Sequence, residues 1–142
     1  MVYGEELQLE TRGFSDIHDL TRRINGVIGA SGMDSGLAGI SVIGSTASIT
    51  SIEFEPALVE DMKAKLEELV SRRWASRHSE TWGDDNGFSH VRASLMGPGV
   101  CLPFRESALI LGTWQQIVVV DHDNRSRTRR IYVQLVGEPG AK

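Results

Sequence analysis

The fold class is decided by residues 114–136, which read Trp-Gln-Gln-Ile-Val-Val-Val-Asp-His-Asp-Asn-Arg-Ser-Arg-Thr-Arg-Arg-Ile-Tyr-Val-Gln-Leu-Val. The run from Trp114 to Asp121 is rich in β-branched residues and predicts a strand. The polar segment Asp121-His122-Asp123-Asn124 predicts a turn, and Thr128 to Val136 predicts the next strand. Within the first strand, Ile117-Val118-Val119-Val120 lacks polar alternation, which indicates burial on both faces.

Further strand patterns precede this stretch. They cover residues 2–12, Leu37–Ile43, Thr46–Phe54, Val100–Phe104 and Ala108–Leu111, and Gly44-Ser45 predicts a tight hairpin or a kink between two of them. Because most of these strands follow one another closely, we expect neighbouring hairpins.

Two helical patterns are clear, and a short third is predicted. The first follows Ser15, read as a helix cap, and the second begins at Pro56, a residue suited to the first helical position. A short third helix is expected from Gly87. At 142 residues the chain fits one domain, residues 1–142. We therefore predict a single-domain α+β fold with a largely antiparallel sheet or flattened barrel and two to three helices.

Composition excludes several function classes. The net charge of -4 argues against a nucleic-acid or membrane-surface partner, and no apolar run approaches the roughly 20 residues that span a bilayer. The start of the chain lacks the features of a secretory signal, and Cys101 is the only cysteine. These features favour the cytoplasm, with Cys101 as a buried small hydrophobe.

The densest chemistry lies between His78 and His90, where thirteen residues contain two imidazoles and three carboxylates. Imidazole and carboxylate are the ligands that zinc or manganese prefers, so His78, Asp85 and His90 form a candidate metal site. On a helix starting near Gly87, Asn86, His90 and Ser94 share one polar face, and Phe88, Val91 and Leu95 share an apolar one. A solvated polar loop remains the alternative interpretation.

An ordered set of short motifs resembles the YjbQ family, often called secondary thiamine-phosphate synthases, along nearly the whole chain. The matching pieces are Thr46-Ala47-Ser48 before a strand ending in Glu53, Asp61-Met62, His78 before Asp84-Asp85, Ser89-His90, Ser94, Gly97, Pro103, Gly112-Thr113-Trp114-Gln115 and Arg129-Arg130. One difference stands out. Relatives commonly place a histidine just before the Thr/Ser-Ala segment, whereas this chain has Gly44.

The resemblance implies a compact α+β fold, homotrimers, and a polar cleft with a divalent metal, which could be zinc, manganese or magnesium. It implies a weak joining of hydroxymethylpyrimidine diphosphate to thiazole phosphate with release of pyrophosphate. The residues expected to carry this chemistry are Glu53, His78, Asp85 and His90, with His78, Asp85 and His90 on the metal. The residues expected to bind substrate are Thr46, Asn86, Ser94, Thr113, Gln115 and Arg129.

Arg129 is expected to act as an anion clamp, because it shares the inward strand face with Ile131, Val133 and Leu135. A charge in that position needs either a carboxylate such as Glu53 or a ligand phosphate. Arg127 is expected to be solvated, and Trp114 to pack in the core. Two other functions remain open: a metal-dependent phosphoester hydrolase, and a non-catalytic oligomeric binding module for a phosphorylated metabolite. We expect the ring nitrogens of His78 and His90 to converge on one site, because a turn that contains Gly83 can fold the loop between them back.

Overall fold

The computed structural model describes residues 1–141. The elements are β1 (Val2–Thr11), β2 (Asp16–Asp19), α1 (Thr21–Ser31), β3 (Met33–Ile43), β4 (Ala47–Ile52), α2 (Pro56–Leu69), α3 (Arg77–Trp82), α4 (Gly87–Met96), β5 (Gly99–Arg105), β6 (Ala108–Leu109), β7 (Gln116–Asp121) and β8 (Arg127–Pro139). No helix in this part of the chain is long and apolar enough to cross a membrane.

The strands form two antiparallel sheets, one with the order β1-β8-β3-β5-β6 and one with the order β2-β7-β4. This confirms the predicted single-domain α+β fold with a largely antiparallel sheet, and the sheet is curled. Residues 1–141 contain four helices, because α3 forms inside the segment expected to be a loop.

The expectation of neighbouring hairpins was wrong, since β5 and β6 are the only consecutive strands that pair within residues 1–141. β7 and β8 lie in different sheets, as do β3 and β4 on either side of Gly44. Gly44 therefore marks a kink between sheets, which was one of the two predictions for this position.

The main core lies between the two sheets and contains Ile24, Val27 and Ile28 of α1. On β7, Ile117 and Val119 face this core, whereas Val118 and Val120 face a second cluster that includes Val59 and Met62 of α2. The prediction that this strand is buried on both faces is confirmed. Because α2 covers the second face of β7, the strand is buried without another subunit.

Several local predictions were wrong for tertiary reasons. The segment after Ser15 forms β2, pairing with β7, and the helix begins only at Thr21. Cys101 is exposed, because its strand lies in the large sheet with this side chain on the outer face. On α4, Phe88 is buried but Leu95 is exposed, since the face turned to the protein is formed by Phe88, Ser89, Arg92 and Ala93.

Candidate functional site

His78 on α3 and His90 on α4 lie side by side, with ring centroids 4.5 Å apart and ring planes at 59°. The predicted convergence of the two imidazoles is confirmed. α3 ends at Gly83 in the left-handed conformation, with φ 70°, so the chain reverses before α4 begins. This reversal places His78 and His90 at one site, although they are twelve positions apart in the sequence.

Gly87 allows the two helices to approach this closely. A Cβ on Gly87 would overlap Ser76 Oγ, the oxygen that caps α3 by accepting a hydrogen bond from Ser79 N at 3.1 Å. The Gly87 backbone N–H also donates to Ser79 Oγ at 3.4 Å. The α3–α4 contact therefore requires a residue without a side chain at this position.

The carboxylate nearest to His78 is Asp84, with 3.6 Å between His78 Nε2 and Asp84 Oδ2. The Asn86 carboxamide is best oriented with its nitrogen donating to Asp84 Oδ1 and Oδ2, at 3.0 and 3.1 Å. In this orientation the amide oxygen faces Asp123, so Asn86 donates no hydrogen bond to that carboxylate. Asn86 thus holds the carboxylate that faces His78.

Asp85 was the carboxylate predicted to act with the histidines, and the structure directs it elsewhere. With φ 54°, Asp85 lines a recess that also contains Arg73 and Glu80 and whose lining does not include His78 or His90. No group of three or more His, Cys, Asp or Glu side chains in residues 1–141 is arranged to hold a metal ion. The donors as placed do not fit the expected zinc, manganese or magnesium ion.

Burial and the neighbouring His78 charge lower the pKa of His90, while Asp123 and Asp84 partly oppose this effect. His90 is therefore neutral near pH 7, although carboxylates lie close to it. An anion that entered beside the two rings would favour their protonated forms.

The histidine pair opens into a cleft of about 500 Å³, which we call the histidine cleft; its walls include Trp74, Arg77, His78, His90 and Val91. This volume lies in the range of small-molecule sites. Arg77 contributes a cation and Trp74 a flat apolar wall.

Behind the histidine cleft lies a buried ionic network that the sequence interpretation missed. Asp121, His122 and Asp123 are each 0% exposed, although the sequence predicts a turn there. Arg129 donates to both oxygens of Asp121, at 2.7 and 2.8 Å, and to Thr46 Oγ1 at 2.7 Å. Two of the predicted substrate-binding residues, Thr46 and Arg129, are therefore bonded within the protein.

Arg129 faces inward as predicted, but its partner is Asp121 rather than Glu53. Burial alone would raise the pKa of Asp121, but hydrogen bonds from Arg129 and Thr11 outweigh it and lower the pKa overall. Arg127 was expected to be solvated and instead pairs with Asp123 at 2.8 Å. These pairs neutralise the buried aspartates.

His122 lies at the centre of this network. Its Nδ1 is 3.1 Å from Ser15 Oγ and its Nε2 is 3.1 Å from Ser48 Oγ. Burial, reinforced by the charge of Arg92, lowers the pKa of His122 to about 4. The ring is thus neutral and fully hydrogen-bonded. One sequence signal could have revealed it, since Asp-His-Asp directly follows four buried residues on β7.

Glu53, Thr113 and Gln115 lie at the end of the three-stranded sheet β2-β7-β4 that is opposite to the buried ionic network. The register pairs Ala47 with Asp121 and Ile52 with Gln116, so this end is roughly 17 Å along β4 from the ionic network. Gln115 Nε2 donates to Ser51 Oγ at 3.4 Å. These three residues do not join the histidine cleft within one chain.

Two further placements differ from expectation at the surface. Ser94 is exposed on α4, one turn beyond His90. Trp114 is 71% exposed, because the turn that carries it ends before β7 enters the core. The prediction that Trp114 packs in the core was wrong.

These features define a class of α+β proteins with two curled antiparallel sheets and a histidine cleft between short helices. The family model described as "UPF0047 protein YjbQ-like" matches residues 5–138. The chain belongs to this YjbQ-like UPF0047 family.

Relatives and solved structures agree with this assignment. A UPF0047 protein of Methanothermobacter thermautotrophicus is 34% identical over 138 residues, covering 97% of this chain and 94% of the relative. UPF0047 protein YjbQ of Salmonella typhimurium is 31% identical, covering 93% and 94%. A crystal structure from Sulfolobus solfataricus, described as a YbjQ-like protein of unknown function, superposes with a TM-score of 0.91 at 32% identity, covering 97% and 99%.

Proposed function

We propose that the histidine cleft binds a small phosphorylated metabolite and that His78 and His90 exchange protons with its phosphate. The observation that carries this proposal is the pair of imidazoles 4.5 Å apart in a cleft that also contains Arg77. Two adjacent rings repel each other when both are protonated, and a phosphate between them and Arg77 relieves that repulsion.

The reaction that we propose is of the thiamine-phosphate synthase type, on the basis of the family resemblance. The C–O bond between the pyrimidine methylene and its diphosphate breaks, and a C–N bond to the thiazole nitrogen forms. A protonated His78 or His90 would donate its proton to the leaving diphosphate. Arg77 is the cation available to this leaving group, because Arg129 is engaged by Asp121.

Pyrophosphate binding tests the proposal by isothermal titration calorimetry. We expect His78→Gln and His90→Gln each to weaken binding by about tenfold or more, the equivalent of one charge-assisted hydrogen bond. The matched control is His18→Gln, because His18 is a partly exposed histidine on β2 paired with Asp16 at 2.8 Å. Binding should tighten as pH falls below about 6.5, since the protonated rings attract phosphate.

The chemistry is tested by supplying hydroxymethylpyrimidine diphosphate and thiazole phosphate to the purified protein. We expect slow coupling, carried out in the cytoplasm. Complementation of a thiamine-requiring strain should therefore need overexpression of the protein. Hydrolysis without coupling would identify a phosphoester hydrolase, and binding without turnover a binding module. Absence of pyrophosphate binding would reject the proposal. Metal analysis of the same preparation tests the predicted divalent ion separately.

A further inference from the structure

An apolar groove lies between α2 and α4, outside the histidine cleft. Met62, Leu66 and Leu69 of α2 and Leu95 and Met96 of α4 line this groove, which has a volume of about 210 Å³. Leu69 and Leu95 are 75% and 72% exposed. Leucines at this exposure on both sides of one groove leave a continuous apolar surface in contact with water.

The groove is continuous with the histidine cleft. A recess of about 340 Å³ shares Leu69 and Val70 with the groove, and it shares Trp74 and Val91 with the cleft. Mainly apolar side chains, with Ser71 among them, therefore line three adjoining hollows from Met62 to the two imidazoles. The lining becomes polar at Arg77 and the histidines.

The floor of the groove offers little to a polar ligand. The Arg92 guanidinium lies there, and it already donates to Val70 O at 2.7 and 2.9 Å, to Glu67 Oε2 at 2.8 Å and to Ser15 Oγ at 3.1 Å. Its hydrogen bonds are thus directed into the protein, and the remaining lining is hydrocarbon or thioether. An apolar chain fits this surface better than a sugar or a heterocycle.

We propose that the groove and the cleft together bind a free phosphate monoester that carries an apolar tail. The phosphate lies at His78 and His90, and the tail extends past Trp74 into the groove between α2 and α4. This inference rests on the phosphate-binding part of the proposed function, because the phosphate occupies the same cleft. It replaces the two heterocyclic substrates with another substrate class, an amphipathic phosphate ester whose tail contributes binding energy away from the reacting atoms.

Charge favours a free ligand over a membrane. α2, which forms one wall, carries four acidic residues and two lysines, Lys63 and Lys65, which pair with Glu60 and Glu68, and the chain has a net charge of -4. α2 therefore offers no run of unpaired basic residues that would hold an anionic lipid surface. A single anionic head group reaches Arg77 and the histidines without bringing further charge onto α2.

Titration of the full chain with methyl, butyl and octyl phosphate below their micellar concentrations tests the inference. We expect binding to tighten about fourfold for each methylene that enters the groove. Leu69→Gln and Leu95→Gln should reduce this dependence on chain length and leave methyl phosphate binding unchanged. Leu37→Gln is the matched control, because Leu37 is a 52% exposed leucine on β3, in the large sheet.

The outcomes separate this inference from the proposed function. If methyl phosphate binds in a His90-dependent manner but chain length has no effect, the amphipathic substrate is rejected and the phosphate cleft stands. If neither methyl nor octyl phosphate binds, the inference is rejected, and pyrophosphate binding decides the proposed function separately. The inference also fails if Leu95→Gln changes the oligomeric mass without changing the chain-length dependence, since the groove would then be an interface between copies. Binding only to lipid vesicles would reject it too.

Discussion

Arg129 and Arg130 are neighbours on β8 with opposite surroundings. Arg129 pairs with the fully buried Asp121, whereas Arg130 forms an exposed pair with Glu6 at 2.7 Å. We predict that Arg129→Met destabilises the fold by about 3–5 kcal/mol, because it leaves the Asp121 charge buried without its partner. Arg130→Met should leave stability nearly unchanged. Urea unfolding midpoints measure both, and equal effects would contradict a structural role for the Arg129–Asp121 pair.

His122 makes stability depend on pH in a defined window. Its pKa is about 4 in the folded state and ordinarily about 6.5, so between these values the unfolded chain binds a proton that the folded chain excludes. Stability should therefore fall as pH decreases from 6.5 to 4, by about 3 kcal/mol from this group. Above pH 6.5 it should have no effect. His122→Gln should flatten this slope in unfolding experiments, and an unchanged slope would exclude His122 as its cause.

At the scale of elements, two glycine positions have opposite requirements. Gly26 lies in α1 with no atom near its missing Cβ, whereas Gly87 lies where α4 meets Ser76 before α3. We predict that Gly26→Ala stabilises the protein by roughly 0.5–1 kcal/mol, because alanine favours helix. Gly87→Ala should destabilise it and weaken pyrophosphate binding at least tenfold, since α3 must shift and separate His78 from His90. Urea unfolding of both variants tests the two stability predictions, and isothermal titration calorimetry with pyrophosphate tests the binding prediction for Gly87→Ala.

At the scale of the whole molecule, we predict a homotrimer from the family resemblance. The buried run of β7 gives no further reason for it, because α2 and the main core already cover both faces of this strand. A better reason is the exposed end of the small sheet, where Trp114 and Phe54 are 71% and 43% exposed. Sedimentation equilibrium at micromolar concentration should give three times the 15.6 kDa chain mass. A monomer that retains pyrophosphate binding would show that one chain carries the whole site.

The sequence by itself determined the strand-rich α+β class, the helix beginning at Pro56, the inward orientation of the Arg129 side chain and the proximity of His78 to His90. Each depends on local signals: β-branched runs, a helix-starting proline, two-residue alternation along a strand, and a glycine turn at Gly83. These signals act over a few residues, so they can be read without knowing the partners.

Only the tertiary structure decided which strands pair, which carboxylate faces the histidines and where the buried charges lie. Thr11 reaches Asp121 across 110 positions, and Ser15 reaches His122 across 107. A polar Asp-His-Asp segment reads as a solvated turn unless these distant hydroxyls and arginines are known to surround it. Burial of a charged group depends on partners from other elements, and no local pattern encodes those partners.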